Sequence, residues 1–229
     1  MFCFITIELS IFAFFKLSKL TYILNIETAT KNCSVSISKE GKTVALKELN
    51  DGNYSHAEKL HQLIEQVVLE AKIELSGLNA IAVSKGPGSY TGLRIGVSAA
   101  KGLCFALDIP LISTNTLQSL ALSVSIEKGF KIPLLDARRM EVYSQIFNEK
   151  KEIILPVTQE FINSYSFREF LKQGKSIFFG NVAEKGKKIL NKIKQILSGN
   201  NFLQEKECSF FFSKNTSKMN FEMFRIFKP

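Results

Sequence analysis

Three glycines, Gly86, Gly88 and Gly92, sit in the stretch SKGPGSYTGLRIGVSAAKGLCFAL, residues 84 to 107. Glycines gathered at the start of a helix can let backbone amides cradle an anion, which is how many phosphate sites are built. The spacing here is GxGxxxG, so the dinucleotide fingerprint GxGxxG is missed. The Walker pattern GxxxxGK[ST] is missed as well, because Lys101 lies too far into the helix. Two readings therefore stand side by side: a phosphate cradle, or a tight strand-to-helix turn without a ligand. Glu27 ends the first apolar run, where it could hold a cation or bond to its own turn. Asp136 occupies the corresponding place further along, followed by Arg138, Arg139 and Glu141, a group read as an ion-pair cluster.

The two histidines, His56 and His61, are five residues apart. On a helix that separation is about 140° around the axis, so the pair does not share a face. A helical zinc pair needs a four-residue spacing with a carboxylate, as in HExxH, and no metal site is expected. Cys3, Cys33, Cys104 and Cys208 are scattered, with no CxxC pair. That pattern points to a reducing compartment and away from a disulfide framework or structural zinc. Neither Cys33 nor Cys104 has a histidine partner evident in sequence, and nucleophilic catalysis has little support.

These residues need elements to hold them. The chain has 229 residues and is 45% hydrophobic, enough for a buried core in one domain or two small lobes. The net charge of +9, with a pI near 9.3, suits an anionic partner or a lysine-rich solvated surface equally well. Residues 1–20 are apolar and Phe-rich. They lack the basic start and small-residue cleavage site of a signal peptide, and Glu8 and Lys16 interrupt any membrane span. The folded protein is expected to begin near Thr21.

From there TYILNIETAT, CSVSISKEG and KTVALKELN read as three antiparallel strands, with Val35 and Ile37 on one face of the second. Ser55 and Glu58 make a capping box for a helix whose Leu60, Leu63, Ile64, Val67, Val68 and Ala71 form an apolar stripe. LNAIAVS is a strand, the glycine turn follows, and a helix to Leu107 carries the small residues Gly96, Ala99, Ala100 and Ala106. IPLISTNT is a further strand, which completes a βββαβαβ unit of mixed α/β class. LQSLALSVSI is predicted helical. IPLLDARRMEVYSQIFNEKKE then echoes YILNIETATKNCSVSISKEG, which suggests a duplicated plan. SFREFLKQ is a short helix, SIFFGN a strand, and NVAEKGKKILNKIKQIL a basic amphipathic helix around Lys185–Lys194. The tail shows no period. The divisions read from this are an atypical extension (1–20), an N-terminal lobe (21–115), a C-terminal lobe (116–198) and a divergent tail (199–229).

The phrases ILNIETATKNCSVSI, NYSHAEKLHQLIEQV, GPGSYTGLRIG followed by AAKGL, and DARRMEVYSQIF resemble the TsaB (YeaZ) family of tRNA threonylcarbamoyladenosine biosynthesis proteins. The resemblance covers roughly Tyr22 to Asn191. It implies an α/β, two-lobed actin-like ATPase (ASKHA, RNase H-like) fold with duplicated βββαβαβα-type subdomains. It implies a cytoplasmic, non-catalytic subunit that pairs with a catalytic TsaD-like paralogue. The pair would then be joined by a TsaE-like ATPase and would act on tRNA only indirectly. The product would be the modified adenosine beside the anticodon in tRNAs reading ANN codons.

The family's pairing surface falls on its first two helices. The expected interface residues are then Leu60, Leu63, Ile64, Val67, Val68, Gly96, Ala99 and Ala100, a surface that could also accept a second copy of this chain. In TsaD-like proteins a V-N-H-x-x-G-H phrase supplies two metal-binding histidines, and Thr116 and Leu120 stand in their places here. The resemblance therefore implies no cofactor and no metal, with the glycine turn kept for its shape. An ATP-binding enzyme of the actin-like superfamily, using Glu27 and the glycine turn, is the alternative. Binding of tRNA through the basic helix is a third reading. The tail beyond about Leu197 does not resemble the family's closing segment.

Overall fold

The structure is a computed structural model, and it describes residues 22–50, 56–137, 139, 141–163, 165–180, 202–203 and 225–227. Strands β1 (Tyr22–Glu27), β2 (Cys33–Lys39) and β3 (Lys42–Leu49) form the predicted antiparallel meander. Helix α1 (His56–Glu70) returns the chain to β4 (Ala80–Ser84), which lies parallel to β1. Helix α2 (Tyr90–Leu107) leads to β5 (Leu111–Thr114), parallel to β4. With β11 (Arg225–Phe227) at one edge, the sheet order is β11-β5-β4-β1-β2-β3.

Alternation in β2 places Val35 and Ile37 on one face and serines on the other. Both faces are buried: Val35 and Ile37 point into the main core, and Ser34, Ser36 and Ser38 are buried opposite them. The serine face stays polar because Asn25 on β1 is buried beside it. Its amide donates to Ser36 Oγ at 3.2 Å and Ser38 Oγ at 3.3 Å, which meets the hydrogen-bonding requirement of buried polar groups.

Helix α3 (Thr116–Ser123) follows β5, capped by Asn115, whose side-chain oxygen accepts from Leu117 N at 2.9 Å and Gln118 N at 3.2 Å. It packs on β6 (Phe130–Asp136) and β7 (Glu141–Asn148) through Leu117, Leu120 and Ala121. The second sheet adds β8 (Ile153–Phe161), β9 (Ser176–Phe179) and β10 (Phe202–Leu203), in the order β10-β9-β6-β7-β8. Its other face is covered by the short helix α4 (Arg168–Gln173), with Phe167, Leu171 and Phe178 buried there.

The echo seen in sequence is real at the level of connectivity. In each sheet an antiparallel meander is followed by a strand lying parallel to its first member. This is a mixed α/β plan in two sheets, with the meander and its parallel fourth strand repeated. Three strands went unread in sequence, among them β10 in the aperiodic tail. β8 carries Pro156, which argues against a central strand, and β8 is indeed an edge strand, where proline is tolerated. β11 (Arg225–Phe227) comes from the aperiodic tail and pairs antiparallel with β5. The capping serine Ser55, Arg138 and the basic helix around Lys185–Lys194 lie outside the described residues.

Candidate functional site: the glycine turn and the first two helices

The glycine turn lies at the carboxyl ends of β1 and β4, the end where open α/β sheets place their ligands. β1 delivers Glu27 and then the corner at Thr28–Asn32. β4 delivers Ser84 and Lys85, and the turn joins them to α2 through a cis Gly86–Pro87 bond. Gly86 and Gly88 have φ of +102° and +157°, backbone open to glycine and strained for other residues.

What faces this turn is the protein's own corner. A Cβ on Gly88 would stand 2.5 Å from the Ala29 carbonyl oxygen, and one on Gly92 only 2.1 Å from that of Thr28. A Cβ on Gly96 would meet Thr28 Oγ1 at 2.3 Å. Two of the amides that could cradle an anion are spent internally. Ser89 N donates to Ala29 O at 2.7 Å, and Gly92 N donates to the Ser89 hydroxyl at 3.2 Å. Gly86 O accepts from Thr116 N at 3.0 Å, tying the turn to the head of α3. Gly92→Ala is accordingly expected to cost about 3 kcal/mol, because the clash is with backbone that cannot step aside. Urea denaturation checks it, and an unchanged midpoint would show that the corner does not hold the turn.

Glu27 stands half-buried at the end of β1. One carboxylate oxygen accepts from Ala29 N at 2.7 Å, and the other takes a short hydrogen bond from the Ser84 hydroxyl. Burial raises its pKa above the usual carboxylate range, against the lowering effect of its bonds with Ser84, Ala29 and Thr28. An acid in this state braces the corner. Both of its oxygens are engaged within the corner. His56 is buried with Nε2 at 2.7 Å from Thr30 O, while His61 is on the surface, so the pair does not meet. Burial pushes the thiols of Cys33 and Cys104 up to about 11, with Glu27 adding to the effect at Cys33. Neither sulfur is a nucleophile in that state.

Asp136 is exposed at the end of β6, and Glu141 bonds the Gln159 amide across the β7–β8 pair. Thr116 and Leu120 are buried in α3. Among the described residues, no three His, Cys, Asp or Glu side chains gather as metal ligands would.

The expected partner face requires correction. Leu60, Leu63, Ile64 and Val67 are buried on the inner side of α1, in one core with β1, β2 and β4. Gly96 and Ala100 are buried on α2, and Val68 and Ala99 are half-buried against the same core. Helical periodicity marks an apolar stripe without naming what covers it, and here the lobe's own sheet does. Gly96 is small because Thr28 of the same chain comes close. The outward faces of the two helices carry other apolar residues: Leu69, 80% exposed, on α1, and Phe105, 78% exposed, and Tyr90 on α2. They are out of phase with the stripe, a signal that was present in sequence and passed over.

Against this geometry stand the known proteins. The profile of the family described as "TsaD: tRNA N6-adenosine threonylcarbamoyltransferase" matches residues 52–222. The tRNA threonylcarbamoyladenosine biosynthesis protein TsaB of Haemophilus influenzae is 29% identical over 66% of this chain and 62% of its own length. TsaB of Escherichia coli is 34% identical over 53% of this chain and 52% of its own. The chain belongs to this family, on its TsaB/YeaZ side. It spans less than two thirds of the length of those TsaB relatives. Among solved structures, YeaZ from Pseudomonas aeruginosa superposes with a TM-score of 0.56 at 26% identity, over 70% of this chain and 76% of that one. A second structure from that organism, a protein with similarity to peptidase YEAZ, gives a TM-score of 0.67 over 87% and 89% at 22% identity, and so speaks for the fold alone. Among the described residues no helix is long and apolar enough to cross a membrane.

Proposed function

We propose that the chain is a non-catalytic subunit in tRNA threonylcarbamoyladenosine biosynthesis, working in the cytoplasm. In this reading it pairs with a TsaD-type threonylcarbamoyltransferase, a TsaE-like ATPase joins the pair, and tRNA is reached through the partner. The family membership supports the pathway. The non-catalytic role is supported by one observation: Ser89 N, Gly92 N and both Glu27 carboxylate oxygens are engaged by the protein's own corner. Pairing is placed on the outer faces of α1 and α2, because Leu69, Tyr90 and Phe105 expose apolar surface there that water does not favour. A second copy of this chain competes for the same faces when the partner is absent.

Co-purification with the TsaD-type protein of the same organism tests this. The parent chain should pair. Leu69→Glu with Phe105→Glu should weaken pairing by tenfold or more, since charged groups would have to be desolvated in the interface. Both sites are exposed, so the melting transition should stay near that of the parent. A folded parent chain that never pairs would refute the reading. Pairing by the double variant at parental strength would move the interface elsewhere.

A further inference from the structure

The outer faces of α1 and α2 carry opposite charges in the same order. Glu58, Glu65 and Leu69 are exposed on α1, and Arg94, Lys101 and Phe105 are exposed on α2. Each trio is spaced seven and then four residues apart. At about 100° per residue that spacing keeps a trio within an arc of roughly 40°, so each forms one ridge along its helix. The first ridge reads acidic, acidic, apolar, and the second reads basic, basic, apolar.

The fold sets the two ridges level. Both helices cover the same face of the first sheet. They run in the same direction, because each joins two parallel strands, β3 to β4 and β4 to β5. Their heads are side by side: a Cβ on Gly92 would stand 3.2 Å from the His56 ring. Counting on from those two residues, Glu58 is level with Arg94, Glu65 with Lys101 and Leu69 with Phe105. Between the charged rungs the exposed pair is Gln62 and Ser98, which is neutral. Just past the two helix ends stand Lys72 and Asp108, both exposed and both left-handed, with φ of +55° and +51°, and there the signs are exchanged. Among the described residues no ion pair joins the two helices. Glu70 is turned aside to Lys47, at 2.6 Å. The Arg94 guanidinium lies over the exposed Tyr90 ring, 4.0 Å from its centroid, which holds it along the ridge.

We propose that this face binds a second copy of the chain about a two-fold axis that runs along the helices, midway between them. That axis lays α1 of each copy over α2 of the other without shifting their levels. Glu58 then meets Arg94 of the second copy, Glu65 meets Lys101 and Leu69 meets Phe105, and symmetry makes every contact twice. A surface that carries its own complement selects itself, and the charged rungs fix the register while the apolar rung is buried. The inference rests on the reading that the outer helix faces are the pairing surface, and it names one occupant and the residues that select it.

Sedimentation velocity on the full chain tests it, with two double variants: Arg94→Glu with Lys101→Glu, and Glu58→Lys with Glu65→Lys. All four positions are exposed, and circular dichroism verifies each fold. The parent should dimerise, less tightly as salt is added. Each double variant faces its own copy with like charges and should self-associate about tenfold or more weakly. An equimolar mixture of the two should recover the dimer, because a wholly acidic face then meets a wholly basic one. A mixture that stays monomeric would overturn the proposal, as would either double variant dimerising at parental strength. A monomeric parent that still binds the TsaD-type protein would overturn it too and leave the proposed function standing. Recovery of the dimer in a chain that never binds that protein would uphold it and refute the proposed function alone. If a double variant does not fold, a mixture of Arg94→Glu with Glu58→Lys makes the same comparison on one rung.

Discussion

Leu63→Glu combined with Val67→Glu should unfold the first lobe. Both side chains are buried between α1 and the sheet, beside Leu60, Ile64 and Val35. Two carboxylates placed there have no cationic partner, and each unpaired buried charge costs several kcal/mol even after its pKa shifts to neutralise it. A domain of ordinary stability has about 5–15 kcal/mol to lose. Far-UV circular dichroism with urea denaturation measures this directly. A cooperative transition at the parental midpoint would mean that the inner face of α1 is not core. The consequence for partner studies is practical. Loss of pairing in this double variant would report unfolding, whereas the same loss in Leu69→Glu with Phe105→Glu would report contact.

The second large effect is expected at Glu27, where Ala and Gln should part company. Glu27→Ala leaves Ala29 N and the Ser84 hydroxyl without their acceptor inside the lobe and opens a void. Together these should cost about 3 kcal/mol. Glu27→Gln keeps the shape, one acceptor for Ala29 N and a donor for Ser84. The pH dependence separates them further. Burial raises the carboxyl's pKa in the folded state, so the folded protein keeps this proton at pH values where the unfolded chain has lost it. The contribution of this group is complete below the unfolded-state pKa and declines as pH rises towards the folded-state value. Glu27→Gln should remove that decline and flatten the stability profile across the window. A parental slope in the Gln variant would mean that Glu27 titrates as it does in the unfolded chain.

Much of this fold could be read from residue order because local rules and packing agree. The stripe Leu60, Leu63, Ile64, Val67 marks α1, and Asn115 marks the start of α3 with an ordinary side-chain cap. The repeated strand-corner-strand phrase marks the duplication. What could not be read was the identity of the surface meeting each face. The stripe on α1 says only that something apolar covers it. The serine face of β2 is met by Asn25 of the neighbouring strand, a pairing that the alternation alone does not name. The glycine turn looked equally apt for a phosphate or for a close backbone contact. That was decided by where Thr28 and Ala29 sit, and those positions are brought to the turn by the β1–β4 pairing.

The antiparallel pairing of β11 with β5 has a bearing on how the protein is made. β5 and its neighbours belong to the early part of the chain, yet the strand that seals their edge is synthesised only after the whole second sheet. During translation the first lobe can gather its meander and two helices, but the backbone groups along one side of β5 stay open to water or to a stray strand. A chain cut short before residue 225 would have its first two helices in place and a sheet edge unguarded, so the core of the first lobe and its protection from aggregation would mature at different moments.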